Sequence, residues 1–206
     1  MAQFLGGTLQ PFVTKQITAR SKYLKENQYS NGLTALHGNS PFINLYSSVT
    51  GSPYSSIDFK LEGGLAFQGD IAPGDPVGYS RSIGADERSF TPRPGIIDAN
   101  VKSKGTFGAL RDVEISVKAF NVGDFEIIYD LYCRPGFSFL LEWGHTVYID
   151  DTGKQSTIIQ RAGQTFLDGG KYDDIQAAMS RAKSASHGNY DAMLAICKNF
   201  NWTLNA

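Results

Sequence analysis

Charge of one sign, cysteine and long apolar runs are all scarce in this chain, and each scarcity removes a class of protein. Nineteen Lys and Arg stand against 20 Asp and Glu in 206 residues, a formal net charge of −1. No global field therefore draws in nucleic acid or an anionic membrane, and partners must be selected by shape. Cys133 and Cys197 are the only cysteines. With no CxxC spacing they supply neither a disulfide framework nor a zinc knuckle, and both are expected to be reduced. No run of about 18 apolar residues occurs, which argues against a transmembrane anchor. Met1 to Gly7 carry no cationic leader ahead of an apolar stretch, so the expectation is a protein made and assembled in a cytoplasm. Without a secretory route, the sequon Asn201-Trp202-Thr203 is expected to be fortuitous.

The usual signatures of catalysis and metal binding are missing as well. There is no GxSxG nucleophile elbow, no GxxxxGK[ST] phosphate loop and no HExxH zinc helix. Gly63-Gly64 and Gly105-Thr106-Phe107-Gly108 lack dinucleotide-fingerprint spacing and read as turn glycines. Asp150-Asp151, Asp168 and Asp173-Asp174 lack the alternating ligands of a calcium loop and suit turns and helix starts. His37 and His187 are isolated beside glycines. The best place for an active site is Glu142-Trp143-Gly144-His145, where a large aromatic could desolvate a carboxyl. Three residues apart on a strand, Glu142 and His145 face opposite sides unless Gly144 inserts a bulge. The expectation is therefore a core anchor at Trp143 and a non-catalytic Glu142 satisfied by backbone donors or an arginine. No catalytic, cofactor-binding or metal residue is assigned, and no cofactor is expected.

What the chain has in quantity is 22 Gly, 13 Phe and 10 Tyr, favouring a turn-rich β protein with aromatic anchors. Arg-Pro-Gly occurs at Arg93-Pro94-Gly95 and again at Arg134-Pro135-Gly136, each copy opening a strand-like run. Between them, 96–104 and 113–120 predict two antiparallel strands joined across Gly105 to Leu110. A helix over 123–133 follows, then a dense apolar run over 137–143. The unit reads strand, strand, helix, strand. Each arginine precedes Pro-Gly, which holds it extended. Its guanidinium is open to a carboxylate on a neighbouring subunit or to an intrachain pair with Glu142 or Asp130.

Outside that unit, 11–28 reads as a helix with Pro11 in its first turn, apolar Val13, Ile17 and Leu24, and basic Lys15, Arg20, Lys22 and Lys25. Because the whole chain is near neutral, the basic face is expected to be solvated rather than nucleic-acid or membrane binding. A short element is expected at 33–37, strands at 41–49 and 145–149, a turn at 150–154 and a helix over 171–186 with a stripe of Ile175, Ala178, Met179 and Ala182. A long surface loop is expected at 72–91. The last stretch, 195–204, alternates so that Phe200, Trp202 and Leu204 share a face of an expected strand. Whether the chain stops there or continues beyond Ala206 stays open, a good terminal strand favouring continuation.

Several of these stretches carry a resemblance. Arg93-Pro94-Gly95-Ile96, Val101-Lys102-Ser103-Lys104-Gly105-Thr106-Phe107-Gly108-Ala109-Leu110-Arg111, Leu131-Tyr132-Cys133-Arg134-Pro135-Gly136 and Leu140-Leu141-Glu142-Trp143-Gly144 resemble the signature of a structural protein of tailed-bacteriophage virions. Phe12 to Arg20, Pro41 to Val49, Gly188 to Leu194 and Asn199 to Leu204 are similar to further parts of the same proteins. The resemblance implies an α+β fold, mainly antiparallel β-sheet with packed helices and long loops around a tail-tube-like β unit. It divides the chain into an N-terminal helix and docking strand at 1–60 and a tail-tube-like β/helix domain at 61–206, which includes the loop at 72–91.

The function it implies is a non-enzymatic subunit of a tail or baseplate, of hub or tube-initiator type, located in the virion and assembled in the host cytoplasm. Its partners would be copies of itself in a ring and other tail proteins. A passive DNA conduit without sequence-specific binding is compatible with that role. The alternative is a carbohydrate- or receptor-binding β module of a virion, and a weaker third reading is a cell-wall hydrolase using Glu142.

Overall fold

The computed structural model describes residues 11–26, 41–49, 60–64, 94–104, 110–149, 155–158 and 161–204. The elements expected at 33–37, 72–91 and 150–154, the reversal at 105–109, Arg93 and His37 lie outside the described residues. In chain order the elements are α1 (Pro11–Glu26), β1 (Pro41–Ser47), β2 (Leu61–Gly64), β3 (Gly95–Lys104) and β4 (Leu110–Lys118). There follow α2 (Val122–Tyr132), β5 (Ser138–His145), β6 (Val147–Ile149), β7 (Gln155–Thr157), α3 (Gly163–Leu167), α4 (Tyr172–Ala185) and β8 (Tyr190–Ile196).

Six strands form one curled mixed sheet in the order β4-β3-β2-β1-β5-β8, and β6 and β7 make a separate two-stranded ribbon. The fold is α+β. Every pairing in the large sheet is antiparallel except β2 with β3, which run parallel and meet at Glu62 and Gly95. The expected order of strand, strand, helix, strand is observed as β3, β4, α2 and β5. Strands β3 and β4 pair in antiparallel register from Gly95 opposite Lys118 to Lys104 opposite Leu110, with an irregularity between Ile96 and Asp98.

Strand β5 shows why the sequence reads as an unbroken apolar run: both of its faces are covered. Phe139 and Leu141 point into a core with Leu45, Leu61 and the inner side of α2, Ile127, Ile128 and Leu131. Leu140 points the other way, into a core with Phe42, Tyr46, Tyr190, Phe166 of α3 and Ile175 and Ala182 of α4. Each of the fully buried leucines contributes about 1.5–3 kcal/mol relative to exposure. Helix α2 begins where a reciprocal cap forces it to. The Asn121 side chain accepts from the Asp124 backbone N–H at 2.7 Å and donates to the Asp124 carboxylate at 2.6 Å. The expected stripe of α4 is also present, with Ile175, Ala178 and Ala182 buried and Met179 packed beside them.

Four expectations need correcting. The terminal strand is Tyr190–Ile196, not 195–204. The alternation of Phe200 and Trp202 serves contacts with α2 instead of a ladder: Phe200 lies edge-on to Tyr129 and Trp202 edge-on to Phe125, with centroids 5.8 and 5.7 Å apart. Trp143 is half-buried at the margin of the α2 core rather than a deep anchor. The two Arg-Pro-Gly segments, each expected to open a strand, do so differently: Gly95 is itself the first residue of β3, whereas Gly136 sits in a left-handed turn at φ 90° ahead of β5. His145 ends β5, so the strand expected at 145–149 begins only at Val147.

Strands β2 and β7 and helix α3 had no counterpart in the expectations from sequence, and Gly63-Gly64, expected as turn glycines, lie in β2 opposite Ile43 and Phe42. Strand β1, assigned from sequence to the N-terminal unit, lies inside the sheet between β2 and β5.

Candidate functional site

Glu142 is the most deeply enclosed carboxyl side chain among the described residues, with no exposed surface. Strand β5 turns it toward α3 and α4. One carboxylate oxygen accepts from the Asn44 amide at 2.9 Å and the Tyr46 hydroxyl at 2.7 Å, and the other accepts from the Tyr190 hydroxyl at 2.9 Å. The three donors arrive on the two strands flanking β5. Asn44 stands directly opposite Glu142 on β1, and Tyr190 opens β8. The Tyr190 oxygen in turn accepts the Ala162 backbone N–H at 3.0 Å, so the entry to α3 joins the network. Glu142 was expected to be satisfied by backbone donors or an arginine. The donors are instead three side chains, each a strong partner for a carboxylate.

The electrostatics follow from enclosure. Burial, and then the neighbouring Glu142 carboxylate, push the Tyr46 and Tyr190 hydroxyls far above the ordinary phenol range. Arg161 opposes that shift at both and lies with its guanidinium 4.4 Å from the centre of the Phe42 ring. Two glycines make room for the arrangement. A Cβ on Gly163 would overlap the Tyr46 ring, and one on Gly144 would overlap the carbonyl of Asn189. The cluster is sealed and its carboxylate oxygens are engaged. What it does chemically is hold β1, β5, β8 and α3 in a single register.

The other candidates are dispersed. Register runs unbroken through Gly144 to both neighbouring strands, so no bulge brings His145 to the face of Glu142. Asp168 accepts from Gln164 at 2.8 Å, and Asp173 and Asp174 occupy the first turn of α4. His187 lies in the reversal before β8 at φ 51°. Arg134 pairs with Asp130 at 2.8 Å, the intrachain alternative for that arginine. Both cysteines are free and half-buried, and burial raises both thiols, Cys133 also through the nearby Cys197. No group of three or more potential metal ligands occurs among the described residues, and no described helix is long and apolar enough to cross a membrane.

Two surface features complete the picture. Among the described residues the sheet ends in β4 on one side and β8 on the other. Strand β4 alternates charges, Arg111, Asp112, Glu114 and Lys118, whereas β8 reads Tyr-Asp-Ala-Met-Leu-Ala-Ile, with one charge and no lysine or proline. The sheet's curl brings the segment after β8 near β4, Lys198 standing 3.6 Å from Asp112. Asn44, Tyr46 and Tyr190 were not singled out from sequence. The only signal for them was a polar residue, Asn44, inside an otherwise apolar strand.

No protein family, curated protein or solved structure matches this chain.

Proposed function

We propose that this protein is a non-enzymatic structural subunit of a bacteriophage tail or baseplate, of hub or tube-initiator type, which assembles into a ring with copies of itself and with other tail proteins. The resemblance of the 93–144 segment supplies the class. The single structural observation that supports the reading is the pair of sheet edges, above all β8. A seven-residue, largely apolar edge strand without lysine, proline or bulge is a template for another strand, and folded proteins avoid leaving one open unless a partner covers it. Glu142 has no part in catalysis under this reading, because it is enclosed and spends its oxygens on Asn44, Tyr46 and Tyr190.

The test is assembly. Wild-type chain should sediment as a discrete oligomer or join tail particles, and Ile196→Lys, at an exposed position of β8, should abolish this while leaving the melting midpoint unchanged. A wild-type chain that stays monomeric and joins no particle would overturn the proposal. The virion carbohydrate-binding alternative draws its support from the partly exposed rings of Tyr129 and Trp202. It requires a discrete particle that binds glycan.

A further inference from the structure

Helix α2 is apolar on two sides. Its inner side is spent on the core, but Val122, Phe125 and Tyr129 recur at i, i+3 and i+7 on the outer side. The segment after β8 lays Phe200 and Trp202 on that stripe and covers it only in part. Val122 stays 73% exposed, Trp202 56% and Leu204 84%. A helix apolar all round is normally enclosed all round, and a contiguous exposed patch of this kind marks association. The charges on α2 itself have one sign: it contains Asp124, Glu126 and Asp130 and no lysine or arginine. Asp124 is buried in the cap and Asp130 holds Arg134. Glu126, four residues after Val122, is the exposed carboxylate beside the stripe.

Helix α1 has the complementary character. Its 16 residues include Lys15, Arg20, Lys22 and Lys25 against Glu26 alone. Ile17 is 51% exposed, with exposed Thr14 and Ser21 three residues before and four residues after it on the same side, and Ala19 is the one buried side chain among those described on this helix. Within its own chain α1 packs beside the β6 ribbon. A helix of this length is marginal without a tertiary face to bury.

We infer that α1 of one copy docks along the outer side of α2 of a second copy, Ile17 entering the aromatic surface of Phe125, Tyr129 and Trp202, with the net positive helix α1 laid against the acidic helix α2. The inference rests on the assembling-subunit reading and names the surfaces that join. Donor helix and acceptor face are different parts of the chain, so the contact is heterologous. It repeats from copy to copy until the rotation closes a ring.

The experiment uses the full chain, with mass followed by sedimentation from about 1 to about 100 µM, a span bracketing micromolar association. Val122→Glu and Ile17→Glu both alter exposed side chains, so each should keep the wild-type melting midpoint and weaken association roughly tenfold or more, since each places a charge in an apolar contact. Mixing Ile17→Glu with Val122→Glu chains should give a one-to-one dimer and nothing larger, because the only junction left intact is α1 of the Val122→Glu chain on α2 of the Ile17→Glu chain. The double variant in one chain should stay monomeric. Oligomers untouched by Val122→Glu but abolished by Ile196→Lys would overturn this contact and leave the assembling-subunit reading standing. A wild-type chain monomeric throughout, and absent from particles, would overturn both.

Discussion

The two halves of the sheet are built on different principles. On one side β1, β5 and β8 pair over seven residues each, carry helices on both faces and are cross-tied by Glu142. On the other, β3 and β4 form a long hairpin whose packed face offers only partly buried Ile96, Val113, Ile115 and Val117 to the α2 core, while its far end is exposed. The hairpin's distal ties are exposed ion pairs, Lys102 with Glu114 and Lys104 with Asp112. The first half stores the stability of the fold. The second half is a presented surface whose sequence is free to serve contacts, since little of the core depends on it.

The sharpest way to break that contrast is Glu142→Ala. It leaves two hydroxyls and an amide buried without their acceptor, and it should cost about 3–5 kcal/mol in urea denaturation. A loss below about 1 kcal/mol would mean that the cluster does not hold the strands. Leu140→Ala, at a position with no exposure, should cost about 2–5 kcal/mol, against less than about 1 for Val101→Ala in the hairpin. Trp143→Ala falls between them at about 1–3 kcal/mol, because the ring is half-buried.

The contrast sharpens with pH. Tyr46, Tyr132 and Tyr190 all lie in the doubly covered half or its α2 cover, and burial is the leading cause that raises each of them. A phenol whose folded value lies above its unfolded value of 10.0 stabilises the fold fully below that pH. The contribution is lost as pH rises through the unfolded value toward the folded one. Absorbance titration should therefore show these three of the ten tyrosines ionising only together with unfolding, on the alkaline side of about pH 10. Smooth ionisation of all ten while the fold persists would contradict their enclosure. At the small end, Lys104→Ala should leave the denaturation midpoint where it was, since the pair with Asp112 is solvated.

Most of the local structure was legible because local chemistry determines it. The β3–β4 strand pair, the helix after it and the i, i+3, i+4, i+7 stripe of α4 each lie within a few residues of sequence, although the Asn121 cap that starts α2 was not read from them. The Glu142 cluster was not legible for the opposite reason. Its donors come from 98, 96 and 48 residues away, and nothing in the sequence says that β1 slots beside β5. The terminal strand was misplaced because alternation records which side chains face a surface, and at 197–204 that surface is a helix flank rather than a sheet. Helix α3, at five residues, is too short to show a period.

The placement of β1 also sets an order of events in time. Its partner β5 lies almost a hundred residues downstream in the register that joins Asn44 to Glu142, whereas β3 and β4 meet across one short reversal. Distant pairings close slowly because the intervening chain must first be gathered. In pulse-labelled hydrogen exchange during refolding, amides of β3, β4 and α2 should become protected early and those of β1 last. On the ribosome β2 can pair with one edge of β1 early, but the edge of Phe42 to Tyr46 that faces β5 must wait open while the chain through β5 is synthesised, a stretch during which the nascent protein is most open to holding by chaperones.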